Sequence, residues 1–368
     1  MPRTRRPATA GALALALAGV LALGAGPAAA AQAAPARLPA GVTLADGAPA
    51  APTGITAASW LVADLDTGEV LAARDPHAKR PPASTLKVLT ALALLPVVPS
   101  GTLVRPTQEQ VDIEGSKVGL VPGVAYPAEE LYSALLMVSG NDAANALAGA
   151  AGGTPVAARL MNEQAARLGA VDTRATNPHG LHAEGQVSTA YDLALIARAA
   201  LAVPEIAEWV VTQRSTVSAG PGKPRFEVFN KNKLLGSYEG ALGVKTGYTT
   251  ASLATFIGAA ERDGRRLVVV MLRSQPRFWA EATALLDWGF AAARAGAEPV
   301  GHLPPPPEPE QPEETEDVEP AAAAAGADGG FRLPDVRALP ARQLGGTALV
   351  LAAVVAVRPA RRRVGATA

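Results

Sequence analysis

A proline-rich acidic run near the end of the chain limits where a compact core can form. Four consecutive prolines at 304–307 lead into a segment with acidic residues at 308, 310, 313, 314, 316, 317 and 319. Because like charges repel and the segment has few apolar side chains, it stays extended and buries no core. We therefore predict a linker over 298–343 and one compact domain over 53–297, preceded by an Ala/Pro/Gly-rich tail over 32–52.

The first residues of the chain have the pattern of an export signal. Arg3, Arg5 and Arg6 form a basic start, an apolar stretch follows over about 10–25, and small residues come next. This order is typical of a secretory signal peptide, which we place at 1–31. A first transmembrane helix is the alternative interpretation of the same stretch.

A second apolar segment, 344–357, lies close to the end of the chain and is followed by arginines at 358, 361, 362 and 363. As a helix it would span about 21 Å, less than the roughly 30 Å of a hydrocarbon core. Snorkelling arginines and local thinning of the bilayer can make up part of the difference. We predict an extracytoplasmic domain that is anchored to the cell membrane by this segment, with a basic cytoplasmic tail at 358–368. An exposed apolar tail or an interfacial helix is the alternative.

Charge and cysteine content exclude several classes of protein. The 33 Lys and Arg residues balance 33 Asp and Glu residues, so the chain has no basic footprint for nucleic acid. The chain contains no cysteine, which excludes disulfides, thiolate zinc sites and cysteine catalysis. The four histidines, at 77, 179, 182 and 302, lack the spacing of a metal site. We expect no metal, no organic cofactor and no nucleic-acid partner.

Hydrophobic periodicity predicts strands at both ends of the domain and helices between them. Strand patterns at 59–64 and 69–73 flank the turn sequence Asp66-Thr67-Gly68, and three more strands are predicted at 242–249, 253–260 and 266–272. Helices are predicted at 84–95, 127–137, 154–168, 189–202 and 278–293. This order favours an α+β fold with one antiparallel sheet, helices on its faces and a helical insertion.

Three short motifs with catalytic potential occur in order within this domain: Ser84-Thr85-Leu86-Lys87, Ser139-Gly140-Asn141 and Lys245-Thr246-Gly247. The patterns S-x-x-K and S-x-N are each expected about once by chance in a chain of this length, and K-T-G in roughly one chain of ten. Here all three stand in one order and each lies in a fitting local context. The combination is therefore far more specific than any one motif.

The first motif has the residue types of a serine nucleophile and its base. Ser84 is predicted to begin a helix, and Lys87 lies one turn later on the same face. The positive end of a helix favours the alkoxide that develops on a nucleophilic serine. A lysine acts as a base only if its pKa is lowered, which burial and a neighbouring cation such as Lys245 can do. An N-cap serine and a solvated helix lysine are the alternative interpretations.

The other two motifs have the residue types that bind and protonate a peptide. The second motif interrupts two helical patterns, which indicates a loop where Ser139 can pass a proton to a leaving amine and Asn141 can bind a peptide amide. The third lies in an apolar run typical of a strand, where Gly247 lets a substrate approach closely and Lys245 and Thr246 can hold a carboxylate. An Asn-capped turn and an exposed edge strand are the alternatives.

With the longer strings 115–120, 141–144, 177–181, 188–192 and 229–235, these motifs resemble the D-alanyl-D-alanine carboxypeptidases, the low-molecular-mass penicillin-binding proteins. The resemblance covers about 53–297 and implies a β-lactamase/transpeptidase-like fold, peptidoglycan stem peptides as substrates and β-lactams as inhibitors. It also implies an oxyanion hole formed by the backbone N–H groups of Ser84 and Tyr248. Two features depart from the family pattern: Leu253 stands where a glycine is usual, and the acidic linker stands where some relatives have a β-rich second domain.

The predicted function is that of a serine-type D-Ala-D-Ala carboxypeptidase that forms an acyl-enzyme on Ser84. A D,D-endopeptidase that acts on cross-links would use the same residues. A class A β-lactamase needs a glutamate that activates the deacylating water. None of the glutamates at 163, 184, 205, 208, 227 and 239 lies in the expected E-x-x-x-N context. The remaining alternative is a catalytically silent peptidoglycan-binding module, against which the complete motif set argues.

Overall fold

The computed structural model describes residues 37–307 except Arg277. The predicted signal peptide at 1–31, the anchor at 344–357 and the basic tail at 358–368 lie outside the described residues, as does the linker beyond 307. Within the part of the chain that the structure describes, none of the helices has the length and apolar character needed to cross a membrane.

One antiparallel sheet of seven strands organises the domain. The strands are β1 (Val42–Leu44), β2 (Ser59–Asp64), β3 (Glu69–Arg74), β4 (Leu103–Val104), β5 (Tyr126–Pro127), β6 (Arg214–Val217), β7 (Phe226–Phe229), β8 (Ala241–Thr249), β9 (Leu253–Arg262), β10 (Arg265–Ser274) and β11 (Gly301–His302). The sheet has the order β1-β3-β2-β10-β9-β8, and β11 also pairs with β3. Strands β4 with β5 and β6 with β7 form two small ribbons. Strand β8 is therefore an edge of the sheet.

Helices fill the middle of the chain, between β3 and the long strands β8–β10. They are α1 (Lys87–Leu94), α2 (Gln108–Val111), α3 (Ala128–Met137), α4 (Asn141–Ala150), α5 (Thr154–Arg167), α6 (Ala190–Leu201), α7 (Pro204–Val211) and α8 (Trp279–Arg294), which follows β10. Short 3₁₀ turns lie at Ala83–Leu86 and Lys233–Gly236. The predicted α+β fold, with its antiparallel sheet and helical insertion, is confirmed.

The two central strands β2 and β10 are buried on both faces. In β2, Leu61 packs in the core shared with the helical insertion, whereas its neighbour Val62 packs in the core on the side of α8. In β10, Val268 and Val269 divide between the two cores in the same way. Because successive strand side chains point to opposite faces, a sheet covered on both sides needs continuous apolar runs. This requirement explains why these strands lack an alternating polar pattern.

The sheet extends beyond both predicted limits of the domain, 53 and 297. Strand β1 pairs with β3, from Val42 opposite Arg74 to Leu44 opposite Ala72, so part of the predicted tail is a strand. At the other end β11 also pairs with β3, and Leu303 is only 1% exposed. The compact domain therefore extends beyond the predicted range 53–297 at both ends. Both added strands are very short and pair with residues far away in the sequence, so local periodicity gave no signal for them.

One buried arginine fixes the point at which the chain leaves the domain. Arg198 of α6 donates from Nη1 to Leu303 O at 2.7 Å and to Pro304 O at 2.9 Å. Its Nε donates to Leu65 O at 2.8 Å, and its Nη2 donates to Asp66 O at 2.7 Å. The guanidinium thus ties residues 303–304 to the β2–β3 turn, and the region predicted as a linker from 298 is part of the domain up to this point.

Candidate active site

The side chains of Ser84 and Lys87 lie within hydrogen-bonding distance because a 3₁₀ turn precedes α1. The turn spans Ala83–Leu86, and the α-helix starts at Lys87 itself. Side chains three residues apart eclipse one another in 3₁₀ geometry, which brings the lysine directly over the serine. Lys87 Nζ lies 2.9 Å from Ser84 Oγ. This distance lies in the range over which a proton can pass between two groups.

The backbone around Ser84 is packed tightly from two directions. Ala83 has a positive φ of 49°, a conformation that a residue with a Cβ adopts only when its surroundings impose it. A Cβ added to Gly180 would lie 2.1 Å from Ala83 O, and one added to Gly247 would lie 2.8 Å from Ser84 N. The loop at Gly180 and the strand at Gly247 therefore both need glycine where they approach this turn. Together they hold the turn that presents Ser84.

Three groups surround the Nζ atom of Lys87. Besides Ser84 Oγ, Nζ donates to Asn141 Oδ1 at 2.7 Å and to the backbone oxygen of His179 at 2.5 Å. Thr90, one turn along the same helix, donates to Pro178 O at 2.7 Å and so fixes the neighbouring carbonyl. The string 177–181, noted in the sequence without an assigned role, thus supplies a backbone acceptor to the base.

Burial changes the chemistry of Lys87. The side chain is 0% exposed, and this desolvation holds its pKa well below its usual range. The positive charges of Lys245 and then Lys231 lower the pKa further, whereas the carboxylate of Asp142 raises it. The predicted effect of Lys245 on the base is therefore present. A lysine with a lowered pKa is better suited to accept the proton of Ser84.

The S-x-N motif was predicted to lie on a loop, but only part of it does. Ser139 does connect α3 to α4, with a positive φ of 64°, and it is 4% exposed. Asn141, however, is the first residue of α4, with Gly140 as its N-cap. The polar residues of this first turn are buried and make contacts outside the helix. Asn141 Nδ2, for example, donates to Glu114 O at 2.7 Å.

The K-T-G motif lies on the edge strand β8, next to the start of the Ser84 turn. Lys245 is 1% exposed, and its Nζ donates to Thr246 O at 2.8 Å. Burial, and after it the charge of Lys231, lower the pKa of Lys245 to about 7. Tyr248 is 60% exposed at the outer end of the motif. The strand therefore brings a buried cation and a free backbone edge to the nucleophile.

Lys231 acts on the site through its charge, although no role was predicted for it from the sequence. Its Nζ donates to Ser116 Oγ at 2.8 Å, and its charge lowers the pKa of both Lys87 and Lys245. Partial desolvation lowers the pKa of Lys231 as well. The string 229–235 was noted as a family likeness, but nothing in its spacing indicated that this lysine reaches the other two.

Histidine and acidic residues are not arranged as a metal site in the described residues, where no group of three or more of them could hold an ion. His179 is next to the site, but burial, and after it the charge of Lys87, lower the pKa of its ring to about 4. Its Nδ1 accepts a hydrogen bond from Leu181 N at 3.2 Å. The neutral ring therefore stabilises the loop, while the backbone oxygen of His179 accepts a hydrogen bond from Lys87.

Comparison with known proteins gives a consistent result. Residues 46–275 match the family of D-alanyl-D-alanine carboxypeptidases. The D-alanyl-D-alanine carboxypeptidase DacB2 of Mycobacterium tuberculosis is 45% identical over 242 residues, which cover 64% of this chain and 82% of that protein. DacF of Bacillus subtilis, with the same description, is 31% identical over 243 residues, covering 64% of this chain and 62% of that protein.

Solved structures of similar proteins share the fold. A D-alanyl-D-alanine carboxypeptidase from Mycobacterium tuberculosis aligns with a TM-score of 0.65 at 42% identity, covering 71% of this chain and 98% of that one. The DD-transpeptidase of Streptomyces K15 aligns with a TM-score of 0.63 at 27% identity, covering 66% of this chain and 100% of that one. Both alignments agree with the β-lactamase/transpeptidase-like architecture expected from the motifs.

Proposed function

The chain belongs to the D-alanyl-D-alanine carboxypeptidase family of serine peptidases, and from that premise we propose how its residues act. The enzyme removes the terminal D-alanine from peptidoglycan stem peptides through an acyl-enzyme on Ser84. The observation that carries this assignment is the 2.9 Å contact between Ser84 Oγ and the Nζ of a completely buried Lys87. A neutral amine held in that position can activate the hydroxyl.

Acylation begins when Lys87 Nζ accepts the proton of Ser84 Oγ, which bonds to the carbonyl carbon of the penultimate residue. The negative charge that develops on the carbonyl oxygen is stabilised by the backbone N–H groups of Ser84 and Tyr248. The close approach of Gly247 to Ser84 N supports this role, since it brings the strand end beside the nucleophile. Such prearranged donors need little reorganisation as charge develops.

Departure of D-alanine requires a proton on its nitrogen. Lys87 returns the proton that it took, and Ser139 relays it to the amine as the C–N bond breaks. A water then attacks the ester carbonyl, gives its proton to Lys87, and Ser84 leaves as the free hydroxyl. One base thus serves both half-reactions in opposite directions.

Binding of the substrate uses the edge of the sheet. Among the described residues β8 pairs with β9 alone, so an extended peptide can pair with its other edge. Lys245 and Thr246 hold the terminal carboxylate of that peptide, and Asn141 binds its backbone amide. A preference for a free carboxylate favours the carboxypeptidase over the D,D-endopeptidase, which would use the same catalytic residues.

Three of the glutamates considered for a β-lactamase, those at 163, 205 and 227, have other contacts. Glu163 pairs with Arg159 at 2.8 Å, and Glu205 accepts from Ser100 Oγ at 3.0 Å. Glu227 lies 3.6 Å from Arg214. These carboxylates are directed at surface partners, which supports slow hydrolysis of a penicilloyl adduct on Ser84 and thus the use of β-lactams as inhibitors.

We also propose that the enzyme is exported and tethered to the cell membrane. The basis is the sequence at 1–31 and 344–357, together with the location of peptidoglycan outside the membrane. Cell fractionation with a tag placed after residue 307 tests this, since removal of 344–368 should release an active enzyme into the medium. Recovery of the full-length chain only from the cytoplasm would contradict it.

Intact-mass spectrometry after incubation with penicillin tests the nucleophile. The native protein should gain one penicilloyl group that persists for minutes after a chase, and Ser84→Ala should gain none. A stoichiometric adduct on Ser84→Ala would contradict the assignment, and many turnovers within seconds would favour a β-lactamase. Incubation with defined muropeptides then distinguishes loss of terminal D-alanine from cleavage of cross-links.

A further inference from the structure

The proposed mechanism leaves unused a carboxylate that lies beside the site. Asp142, in the first turn of α4, is 0% exposed. Its Oδ1 accepts a hydrogen bond from Val118 N at 3.0 Å, and its Oδ2 accepts from Gly119 N at 2.8 Å and from Leu120 N at 3.1 Å. Three successive backbone donors of the loop 114–121 therefore converge on one carboxylate.

The position of Asp142 at a helix start does not by itself explain this arrangement. An acid in the first turn of a helix is commonly stabilised by the helix dipole. Within its own helix the carboxylate accepts one bond, from Ala143 N at 3.0 Å, whereas the other three come from the loop. Hydrogen bonds to an ionised acceptor are about twice as strong as neutral ones, so this contact fixes the loop firmly.

The loop that Asp142 holds contacts both sides of the site. On one side Asn141 N donates to Ser116 O at 2.7 Å, and Asn141 Oδ1 accepts from Lys87 Nζ at 2.7 Å. On the other side Lys231 Nζ donates to Ser116 Oγ at 2.8 Å. The loop thus connects the partner of the base to a lysine that tunes both buried lysines.

We propose that Asp142 is a positioning residue for acylation: it holds the loop 114–121 so that Asn141 keeps Lys87 on Ser84 and Ser116 keeps Lys231 beside the site. The inference rests on the proposed function of Ser84 and Lys87. It assigns to Asp142 no contact with the substrate.

Charge gives Asp142 an effect on the base that a purely structural residue would not have. The charged groups that act on Lys87 are Lys245 and Lys231, which lower its pKa, and Asp142, which raises it. Removing the negative charge should lower the pKa of Lys87 further. The lysine would then be neutral at lower pH, and the acid limb of the acylation rate would move to lower pH.

The test is Asp142→Asn, with the exposed Asp112→Asn in the preceding segment as the matched control. The asparagine keeps the size of the side chain, but its amide nitrogen cannot accept from the loop, so at least one of its three loop bonds is lost. Acylation by penicillin should slow by roughly 10–100-fold, because a small displacement at a catalytic group costs about this much. The acid limb should move to lower pH in Asp142→Asn and stay in place in Asp112→Asn.

An acylation rate within twofold of the native protein, with an unmoved acid limb, would overturn the proposal. So would an equal loss in Asp112→Asn. If Asp142→Asn does not fold, amide hydrogen exchange in the native protein decides: the N–H groups of Val118, Gly119 and Leu120 should be protected, and free exchange at all three refutes the contact. Failure of the native protein to form any penicilloyl adduct would instead refute the proposed function.

Discussion

Two buried lysines of the same site differ in how they are held. Lys87 lies at the start of α1, and its Nζ contacts Ser84 Oγ, Asn141 Oδ1 and His179 O. Lys245 lies on the edge strand β8, and among the described residues its Nζ has a single acceptor, Thr246 O. Both are at most 1% exposed, and burial lowers the pKa of both.

The difference in hydrogen-bond partners distinguishes the proposed base from the proposed carboxylate-binding residue, although both are lysines. As a neutral amine, Lys87 has two N–H donors, which Asn141 Oδ1 and His179 O accept, so its lone pair is left for the proton of Ser84 Oγ. Protonated Lys245 has two donors left over beside the one that Thr246 O accepts, and these can bind a carboxylate. A lysine whose lone pair is directed at a hydroxyl is suited to accepting a proton, and one with spare N–H donors is suited to binding an anion.

The largest expected effect comes from removing the coordinated lysine. Lys87→Ala should slow acylation by penicillin by roughly 10³–10⁴-fold or more, because it removes the base together with its positioning. Lys87→Arg should not restore the rate, since a guanidinium stays protonated. Stopped-flow measurement of acylation checks both variants. Near-native acylation by either would place the base elsewhere and remove the distinction between the two lysines.

A smaller and more selective effect is expected at the strand. Lys245→Met should reduce kcat/KM about 10–100-fold for a peptide that ends in a free carboxylate, since a hydrogen bond to a charged group is lost. A peptide amide, which lacks that charge, should lose much less. Lys233→Met, which changes an exposed lysine of the 3₁₀ turn that precedes β8, is the control. An equal decrease in kcat/KM for the peptide acid and the peptide amide would show that Lys245 does not bind the carboxylate.

Stability should depend on pH in a direction set by Lys245. Its pKa is about 7 in the folded protein and near 10.5 when unfolded, so the unfolded chain binds more protons between these values. The folded state is therefore penalised below pH 7, and the penalty disappears as the pH rises to about 10.5. The Tm of the native protein relative to Lys245→Met should rise between pH 7 and 10. A constant difference would show that Lys245 is charged throughout.

The smallest expected effect concerns the start of β9, which pairs with the strand that carries Lys245. Leu253 has a positive φ of 55°, which costs a residue with a Cβ roughly 1–2 kcal/mol relative to glycine. Leu253→Gly should be about 1 kcal/mol more stable than Leu253→Ala, which also removes the side chain but keeps the strain. Both should acylate at similar rates, because Lys87 is held from other elements. Chemical denaturation measures the difference, and equal stability would contradict the strain.

Local patterns in the sequence were sufficient for much of the fold. The β2–β3 hairpin, the long strands β8–β10 and most longer helices were predicted within a few residues, because each has its own periodicity and turn residues. The short strands β1 and β11 were missed because their pairing partner is distant in sequence. The departure at Leu253 was recognised as a missing glycine, and the structure shows the left-handed backbone that makes glycine usual there.

The site was predictable to the extent that each motif carries its own chemistry. Ser84 and Lys87 are three residues apart, so their contact follows from one helical turn. Lys231 and Asp142 act through loops that only the tertiary fold brings together, and no spacing in the sequence indicates those contacts. The roles of Ser139, Asn141, Thr246 and Tyr248 remain predictions that substrate kinetics will test.

The hydrogen bonds of Arg198 also limit how far the active site of a membrane-tethered enzyme could lie from its anchor. Because Arg198 and β3 hold residues 301–304 on the domain, any connection to the proposed anchor can only begin at about residue 305. Residues 298–304 would have added roughly 25 Å to a fully extended span. In the proposed tethered enzyme, the active site would therefore reach less far from its point of attachment than the length of the predicted linker 298–343 alone suggests.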